Sequence, residues 1–550
     1  MRIAARWLAA LAAGLLAGRQ GLALEPPQVR QVDGVAQLIV HGRPFLVLGG
    51  ELGNSSAGTA AQADSVLPRL AGMHFNTVLM PVAWDEIEPQ EGHLDFSVPD
   101  HWLDVARRQH LHLILLWFGS WKNAFSEYAP EWVLADSRRF PRAVGSDARP
   151  LGILSPLAQE TARCDSRAFA ALMAHLRDRD ATEQTVLMVQ VENEVGYLGL
   201  GGRDRSARAN QLFQAPVPER LRSYLQAHRD QLAPELAGRF RPGARTWTEM
   251  FGEDADEAFM AWYYGSFVDR VARAGKAVYA LPMYMNAQLP APFERAGEYP
   301  SGGPHPLNQA VYRAAAPAID FYAPDIYWPE FAQWVDRYRA LGNPVFVPEA
   351  RLDEAAGNAL YTFGEARGFG FAPFGVDTLP AAAAHTAPGP GIADTYAVLE
   401  PLAQTVIEAQ QQGRIRALVL QAADPRPSRT VSLDGYLLRA TLARAWPSGA
   451  PAASSGAMMA VEERSNVLLI LGSGLNVSFL RDPDAGGEIA GIAAIEQLRD
   501  GSDGWITERV LNGDQSDQGR ALQMDPHTLQ LYRVRLYTSP KSRGGLPLPE

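Results

Sequence analysis

The 550-residue chain is 47% apolar and 20% charged, too long for one hydrophobic core and too apolar for a disordered or collagen-like protein, so two or three folding units are expected. Fifty basic against sixty-one acidic side chains leave a net charge of −11, a field that repels phosphate backbones, and nucleic acid is not an expected partner. The single cysteine, Cys164, excludes an intramolecular disulfide and cannot by itself build a thiolate zinc site or an iron–sulfur cluster.

At the start of the chain, Arg2 and Arg6 precede an apolar run from Trp7 to Ala17, too short to span a bilayer but suited to a secretory signal. Gly21-Leu22-Ala23 supplies small residues for cleavage, so residues 1–23 are read as a signal peptide and the mature protein as exported, to the periplasm or the medium. No later stretch approaches the ~20 apolar residues of a spanning helix, and no membrane partner is expected after signal removal. Gln37 to Leu48 reads as two short strands around the turn His41-Gly42-Arg43-Pro44. Eight apolar β-type runs then alternate with helix-length stretches: Phe45–Leu48, Asn76–Val82, Leu111–Trp117, Val186–Val191, Val278–Tyr284, Ile319–Ile326, Pro344–Val347 and Gly368–Phe374. Continuous apolar runs of this length suit a parallel sheet buried on both faces, and a closed (β/α)8 barrel over residues 37–415 is the simplest arrangement.

Between the fourth and fifth runs, Gly199 to Glu253 reads as an elaborated loop over the site end of the barrel. In the helix that follows it, Phe259, Trp262, Tyr263, Phe267 and Val271 share one face and are read as core, with Asp254 and Glu257 spaced as a capping box. Ala381–Gly391 reads as a loop and Ala393–Gln412 as a helix. From there the pattern turns to short runs, Ala417–Gln421, Val467–Leu471, Leu475–Leu480 and Gln530–Tyr537, separated by Gly, Asp and Ser. An antiparallel β-sandwich over residues 416–550 is expected, with Pro447–Gly456 as a flexible connection.

Two apolar strands end in carboxylates. Strand four ends Val191-Glu192-Asn193-Glu194, and strand seven ends Val347-Pro348-Glu349. Side chains at strand C-terminal ends face the site of a parallel barrel, and two carboxylates about 5–5.5 Å apart there suit double displacement at an anomeric carbon. Glu349 is read as nucleophile and Glu194 as general acid and then base, its proton retained while its neighbour is charged. Of the rival acids, Glu192 is read as a deeper partner in a buried polar network on the face of Glu194, Glu88 as fixing the second-strand loop, and Asp325 as orienting neighbours.

The segments Gly49–Ser56, Asn76-Thr77-Val78 through Trp84 to Glu88-Pro89, Gln190–Glu194 and Val347-Pro348-Glu349 resemble glycoside hydrolase family 35, β-galactosidases of the large retaining (β/α)8 clan. Trp117–Asn123, Gly297–Pro304 and Ala323–Tyr327 are similar to a bacterial subgroup with a β-rich C-terminal domain. The likeness covers roughly residues 37–380, and Glu349-Ala350-Arg351 departs from the aromatic-rich segment of better-known members. It implies that Asn193 bonds the sugar 2-hydroxyl and that Tyr327 bonds the nucleophile. Trp84, Trp121 and Trp328 lie near strand ends, where an aromatic face can stack on a pyranose, and Ser120, Lys122, Asn123 and Asn286 are hydroxyl partners. Glu51 either binds sugar or satisfies first-strand amides.

The eleven histidines form no His-Glu-x-x-His and no close pair suited to zinc, and the glycine clusters lack phosphate or dinucleotide fingerprints, so no metal or cofactor is expected. The expected activity is a retaining exo-β-galactosidase acting on oligo- or polysaccharides. Another β-glycosidase, whether a glucosidase or an endo-glycanase, would use the same pair. A carbohydrate-binding protein on a glycosidase frame is the reading outside catalysis.

Overall fold

The computed structural model describes residues 25–380, 390–445, 448–485, 488–502 and 504–540. The signal-peptide reading and nearly all of the Ala381–Gly391 loop reading fall outside them.

The expected barrel is present. Its strands are Val47–Glu51, Thr77–Ala83, His112–Phe118, Val186–Val191, Met283–Gln288, Phe321–Ile326, a seventh in two pieces, and Gly370–Phe371. The seventh strand is split at Pro348 into Phe346–Val347, paired with the eighth strand, and Glu349–Ala350, paired with the sixth. Proline has no N–H to give a ladder, so the strand passes its hydrogen bonding from one neighbour to the other and closes the ring. A helix of at least seven residues follows every strand, from Ala60–Ala71 after the first to Ile392–Gln411 after the eighth. The fifth strand begins five residues later than the apolar run Val278–Tyr284 suggested, which puts Asn286 inside it.

The two short strands expected around residue 41 belong to a three-stranded antiparallel sheet, Gln28–Val32, Val35–Val40 and Arg43–Phe45, turned by left-handed His41 (φ 49°) and Gly42 (φ 75°). This sheet plugs the N-terminal end of the barrel. Leu38 and Val40 join one apolar cluster with Val47, Leu79, Ile114, Leu116, Phe321, Phe346 and Phe369, and the His41 N–H donates to Gln184 Oε1 at 2.7 Å. Stacked pairs Tyr284–Phe321 and Phe346–Phe369, each with centroids 5.3 Å apart, fill the interior, so the opposite mouth is where a ligand can enter.

The segment from Gly199 to Glu253 is not a loop. It folds into short helices, Ala207–Gln214, Glu219–Ala227, Pro234–Arg239 and Trp247–Phe251, that pack beside helices Ala255–Lys276 and Gln309–Ala315. The aromatic stripe of Ala255–Lys276 is core, with Phe259, Trp262, Phe267 and Val271 buried. Its capping box does not form. Asp254 makes no side-chain cap and instead pairs with Arg239, while buried Glu257 accepts from the Tyr299 hydroxyl and Gly302 N–H, both at 2.6 Å, and from Asn308 at 2.9 Å. A carboxylate at capping spacing is used to tie down the loop after the fifth strand.

From Ile415 the chain forms two antiparallel sheets, one of six strands and one of four. Their facing surfaces bury Met458, Ala460, Leu468 and Ile470 against Leu438, Ala440 and Val477. The intervening side chains, Met459, Val461, Leu469 and Leu471, point the other way and join the core beneath the barrel helices. Val467–Ser473 is therefore buried along its whole length instead of alternating with polar residues. Gly364 permits this docking, since a Cβ there would lie 2.5 Å from Ala417 Cβ. The far end of Pro447–Gly456 is already strand, beginning at Ser455.

Candidate active site

The C-terminal end of strand four departs from regular backbone. Glu192 and Glu194 both adopt left-handed conformations, φ 62° and 44°, which cost of order 1–3 kcal/mol each in a residue with a side chain. Neighbouring groups hold the turn in place. Glu192 Oε2 accepts from the Trp121 N–H at 2.8 Å, the Asn193 N–H donates to Trp121 O at 3.3 Å, and the Glu194 N–H donates to Asn286 Oδ1 at 2.9 Å. The same kinks end the strand's alternation, so Glu192 turns away from Glu194 toward Asp165 on helix Gln159–Asp180. The expectation of a shared face is corrected, while the expected buried polar network is present.

Glu194 is 3% exposed, and its Oε2 accepts from Asn123 Nδ2 at 2.5 Å. Across the mouth, Glu349 is 6% exposed and its Oε1 accepts from the Tyr327 hydroxyl. Asp325 lies between them, paired in register with Glu349, and its Oδ2 accepts from Asn286 Nδ2 at 2.6 Å. Asn286 thus orients the Glu194 backbone with one end of its amide and Asp325 with the other. One oxygen from each of Glu194, Asp325 and Glu349 lies within 4.8 Å of the others. Hard cations use such oxygen-rich sets, but each of these carboxylates already accepts a hydrogen bond from an amide or phenol.

Burial shapes the electrostatics. It pushes Glu194 up to about 7, helped by the charge of Glu349 and opposed by Lys122. Asp325 is held well above the usual carboxylate range by burial and by Glu349, Glu194 and Glu51. Glu51, at the end of strand one, is raised by burial and Glu349 and lowered by Lys122. Its backbone is satisfied by Pro373 and Gly375, while its buried carboxyl has no amide, hydroxyl or cationic partner among the described residues and meets the carboxyl of Glu349. Of the two roles open to Glu51, the structure therefore excludes service to first-strand amides. Lys122 is 6% exposed, with Nζ 5.2 Å from the centre of the Phe118 ring.

Three expected sugar contacts are placed elsewhere. Trp84 is fully buried and donates its indole N–H to Glu88 at 3.0 Å. Trp121 is fully buried against Tyr264 and Phe267 and donates to Leu154 O at 3.1 Å, so neither indole offers a face to the mouth. The Ser120 hydroxyl is engaged by Asp165 at 2.5 Å. All three sit one layer behind the opening, held there by their bonds to Glu88, Leu154 and Asp165. Trp328 stays at the rim, partly buried, with its N–H on Leu289 O, beside half-exposed Tyr327. Glu88 fixes the second-strand loop, accepting from Trp84, from the Gly92 N–H at 2.7 Å and from Arg167.

Sequence reasoning passed over Asp165. The available signal was a lone acid on an apolar helix face, spaced with buried Ala162, Phe169 and Leu172.

In comparisons with known proteins, residues 58–236 match the glycoside hydrolase 42 family model, described as beta-galactosidase, a stretch that includes Asn123 and Glu194 but stops short of Asp325 and Glu349. Residues 392–523 match a domain family described as of unknown function. Among solved structures, one similar chain is a beta-galactosidase from the psychrophilic Marinomonas ef1, 12% identical with a TM-score of 0.42, the match covering 66% of this chain and 61% of that one. No curated protein matches. The family model matched is not that of family 35, and it spans less than half of the chain, so the narrower resemblance reduces to a likeness of this stretch to the β-galactosidase family model.

Proposed function

We propose that the protein is a retaining, exo-acting β-galactosidase that removes terminal β-galactosyl residues from oligo- or polysaccharides. The observation that carries this reading is the approach of Glu194 and Glu349, whose nearest oxygens lie within 4.8 Å. An approach of that order suits the pair at about 5–5.5 Å that forms a glycosyl–enzyme intermediate better than the wider pair of about 6.5–9.5 Å that admits the water of an inverting enzyme.

Glu349 Oε2, buried and without an amide, phenol or cationic donor among the described residues, attacks C1 while Tyr327 holds the other oxygen. Glu194 gives its proton to the departing glycosidic oxygen. Esterification then removes the charge of Glu349, so Glu194 no longer holds a proton as tightly and deprotonates the incoming water.

An end-on pocket is supported by the depth of the polar groups. Glu51 Oε1 and Oε2, Asn193 Nδ2, Asp325 Oδ1 and Glu349 Oε2 are all buried and, among the described residues, have no partner other than a neighbouring carboxyl, and leaving such groups dry is costly. One polyhydroxylated ring can pair with them, Asn193 at the 2-hydroxyl and Glu51 accepting from hydroxyls at the inner end. Trp328 and Tyr327 at the rim are left to the aglycone. The motifs around both glutamates add a finer kinship with family 35. The signal-like residues 1–23, with a lone cysteine, fit an exported enzyme.

A panel of nitrophenyl glycosides with the anomer of the first product followed by NMR tests the reading. Preference for β-galactoside with retention is expected. Inversion, or preference for another sugar, overturns the mechanism or the sugar respectively.

A further inference from the structure

Behind the reacting carboxylates lies a second acidic pair that the proposed chemistry does not use. Glu192 and Asp165 are both fully buried. A Cβ built on Gly119 would sit 2.7 Å from Glu192 Oε1 and 2.8 Å from Asp165 Oδ2, so these oxygens close in on one point. Three of the four carboxyl oxygens have donors. The Trp117 indole N–H donates to Asp165 Oδ1 at 3.0 Å, the Ser120 hydroxyl to Asp165 Oδ2 at 2.5 Å, and the Trp121 N–H to Glu192 Oε2 at 2.8 Å. Glu192 Oε1 has no donor.

Two adjacent buried carboxylates cannot both be ionised without a cation, and no lysine or arginine contacts either among the described residues. A proton on Glu192 Oε1, donated to Asp165, removes both difficulties: it halves the buried charge and gives the fourth oxygen a partner. Burial also raises both groups, Glu192 well above the usual range.

The donors all come from one short stretch, Trp117 to Trp121, and what that stretch carries is Asn123. Asn123 is itself left-handed (φ 48°), and it places its amide on Glu194 Oε2. Glu192 meanwhile is two residues from Glu194 along the chain. The pair therefore clamps the strand-three turn to the strand-four turn.

We propose that Glu192 and Asp165 share a single proton and act as a positioning device, locking the turn Gly119–Asn123 against strand four so that Asn123 is held on the acid/base Glu194. The proposal rests on the reading of Glu194 given above. Neither residue touches the substrate. Gly119 is required because a Cβ there would press on the Trp117 indole nitrogen and on both carboxyls.

The test compares Glu192→Gln and Glu192→Leu with the parent on an alkyl β-galactoside and on 2,4-dinitrophenyl β-galactoside, which needs little acid assistance. The amide of Glu192→Gln can donate to Asp165 and accept from Trp121, so activity within about threefold of the parent on both substrates is expected. Glu192→Leu is expected to lose at least about tenfold more kcat/KM on the alkyl substrate than on the activated one. A protonated-carboxyl infrared band should be present in the parent-minus-Gln difference spectrum at neutral pH. Equal damage by Gln and Leu, equal losses of Leu on both substrates in a folded protein, or absence of the band overturns the proposal. Should Glu192→Leu fail to fold, the band and the retained activity of Glu192→Gln decide it. A parent inactive on every glycoside would defeat the functional reading alone, because the band and a crystal structure of Glu192→Gln with the turn unmoved need no turnover.

Discussion

Strands four and seven both run apolar to a terminal glutamate, yet the two ends are built on opposite plans. At strand seven a proline interrupts the ladder, Glu349 continues in register with Asp325, and one phenol from the adjacent strand holds one oxygen. At strand four the backbone turns left-handed twice, and Glu194 is held from the side by Asn123 and from below by Asn286. The difference suits the two roles proposed for these acids. A nucleophile needs a donor and an open line of attack, which a short straight strand end supplies. An acid that must release and regain a proton needs burial, a nearby negative charge and fixed geometry, and fixing it takes a second layer of residues.

The largest effect should come from Glu349→Gln, with kcat on aryl β-galactosides falling by about 10⁴-fold or more while ligand affinity measured by calorimetry persists. Turnover equal to the parent's would remove the nucleophile from strand seven. For Glu194→Gln, losses of roughly 10²–10⁴-fold are expected on poor leaving groups and much smaller ones on activated aryl leaving groups. The parent's kcat/KM should also fall as pH rises through about 7, the value to which burial lifts Glu194, and this limb should vanish in the variant on activated substrates. A uniform loss across leaving groups would erase the contrast between the two ends.

Smaller changes sharpen it. Asn123→Ala and Tyr327→Phe each delete one hydrogen bond to a carboxylate and should cost between about tenfold and 100-fold in kcat/KM. Leaving-group dependence is expected for Asn123→Ala and not for Tyr327→Phe. The smallest effect is on stability. The folded Glu194 keeps its proton up to about 7, whereas the unfolded side chain releases it in the ordinary glutamate range. This stabilising contribution is therefore complete below that range and lost as pH rises through about 7. Thermal midpoints from pH 4 to 8 should fall less steeply for Glu194→Gln than for the parent.

The eight apolar runs were readable because a parallel strand buried on both faces is a continuous hydrophobic segment, and both glutamates stood out as acids ending such segments. Periodicity says nothing, however, of how deep a loop residue ends up. Trp84 and Trp121 read as sugar platforms from their place near strand ends, and the structure turns both indoles into the helix layer. Glu257 carried the spacing of a cap and became the anchor of a distant loop. The continuous burial of Val467–Ser473 likewise arises because the sandwich docks on the barrel helices, a contact between segments far apart in sequence.

By itself the sequence determined the strand and helix alternation, the change to an antiparallel domain after the last barrel helix, and the two acids at strand ends, because each is written in hydrophobic pattern within a few residues. Only the tertiary structure decided that Asp325 and Glu51 join those acids, that Asn123 and Asn286 aim them, and that Glu192 turns from the mouth to meet Asp165. Those relations depend on left-handed turns and on distances between strands, and neither leaves a periodic mark on the chain.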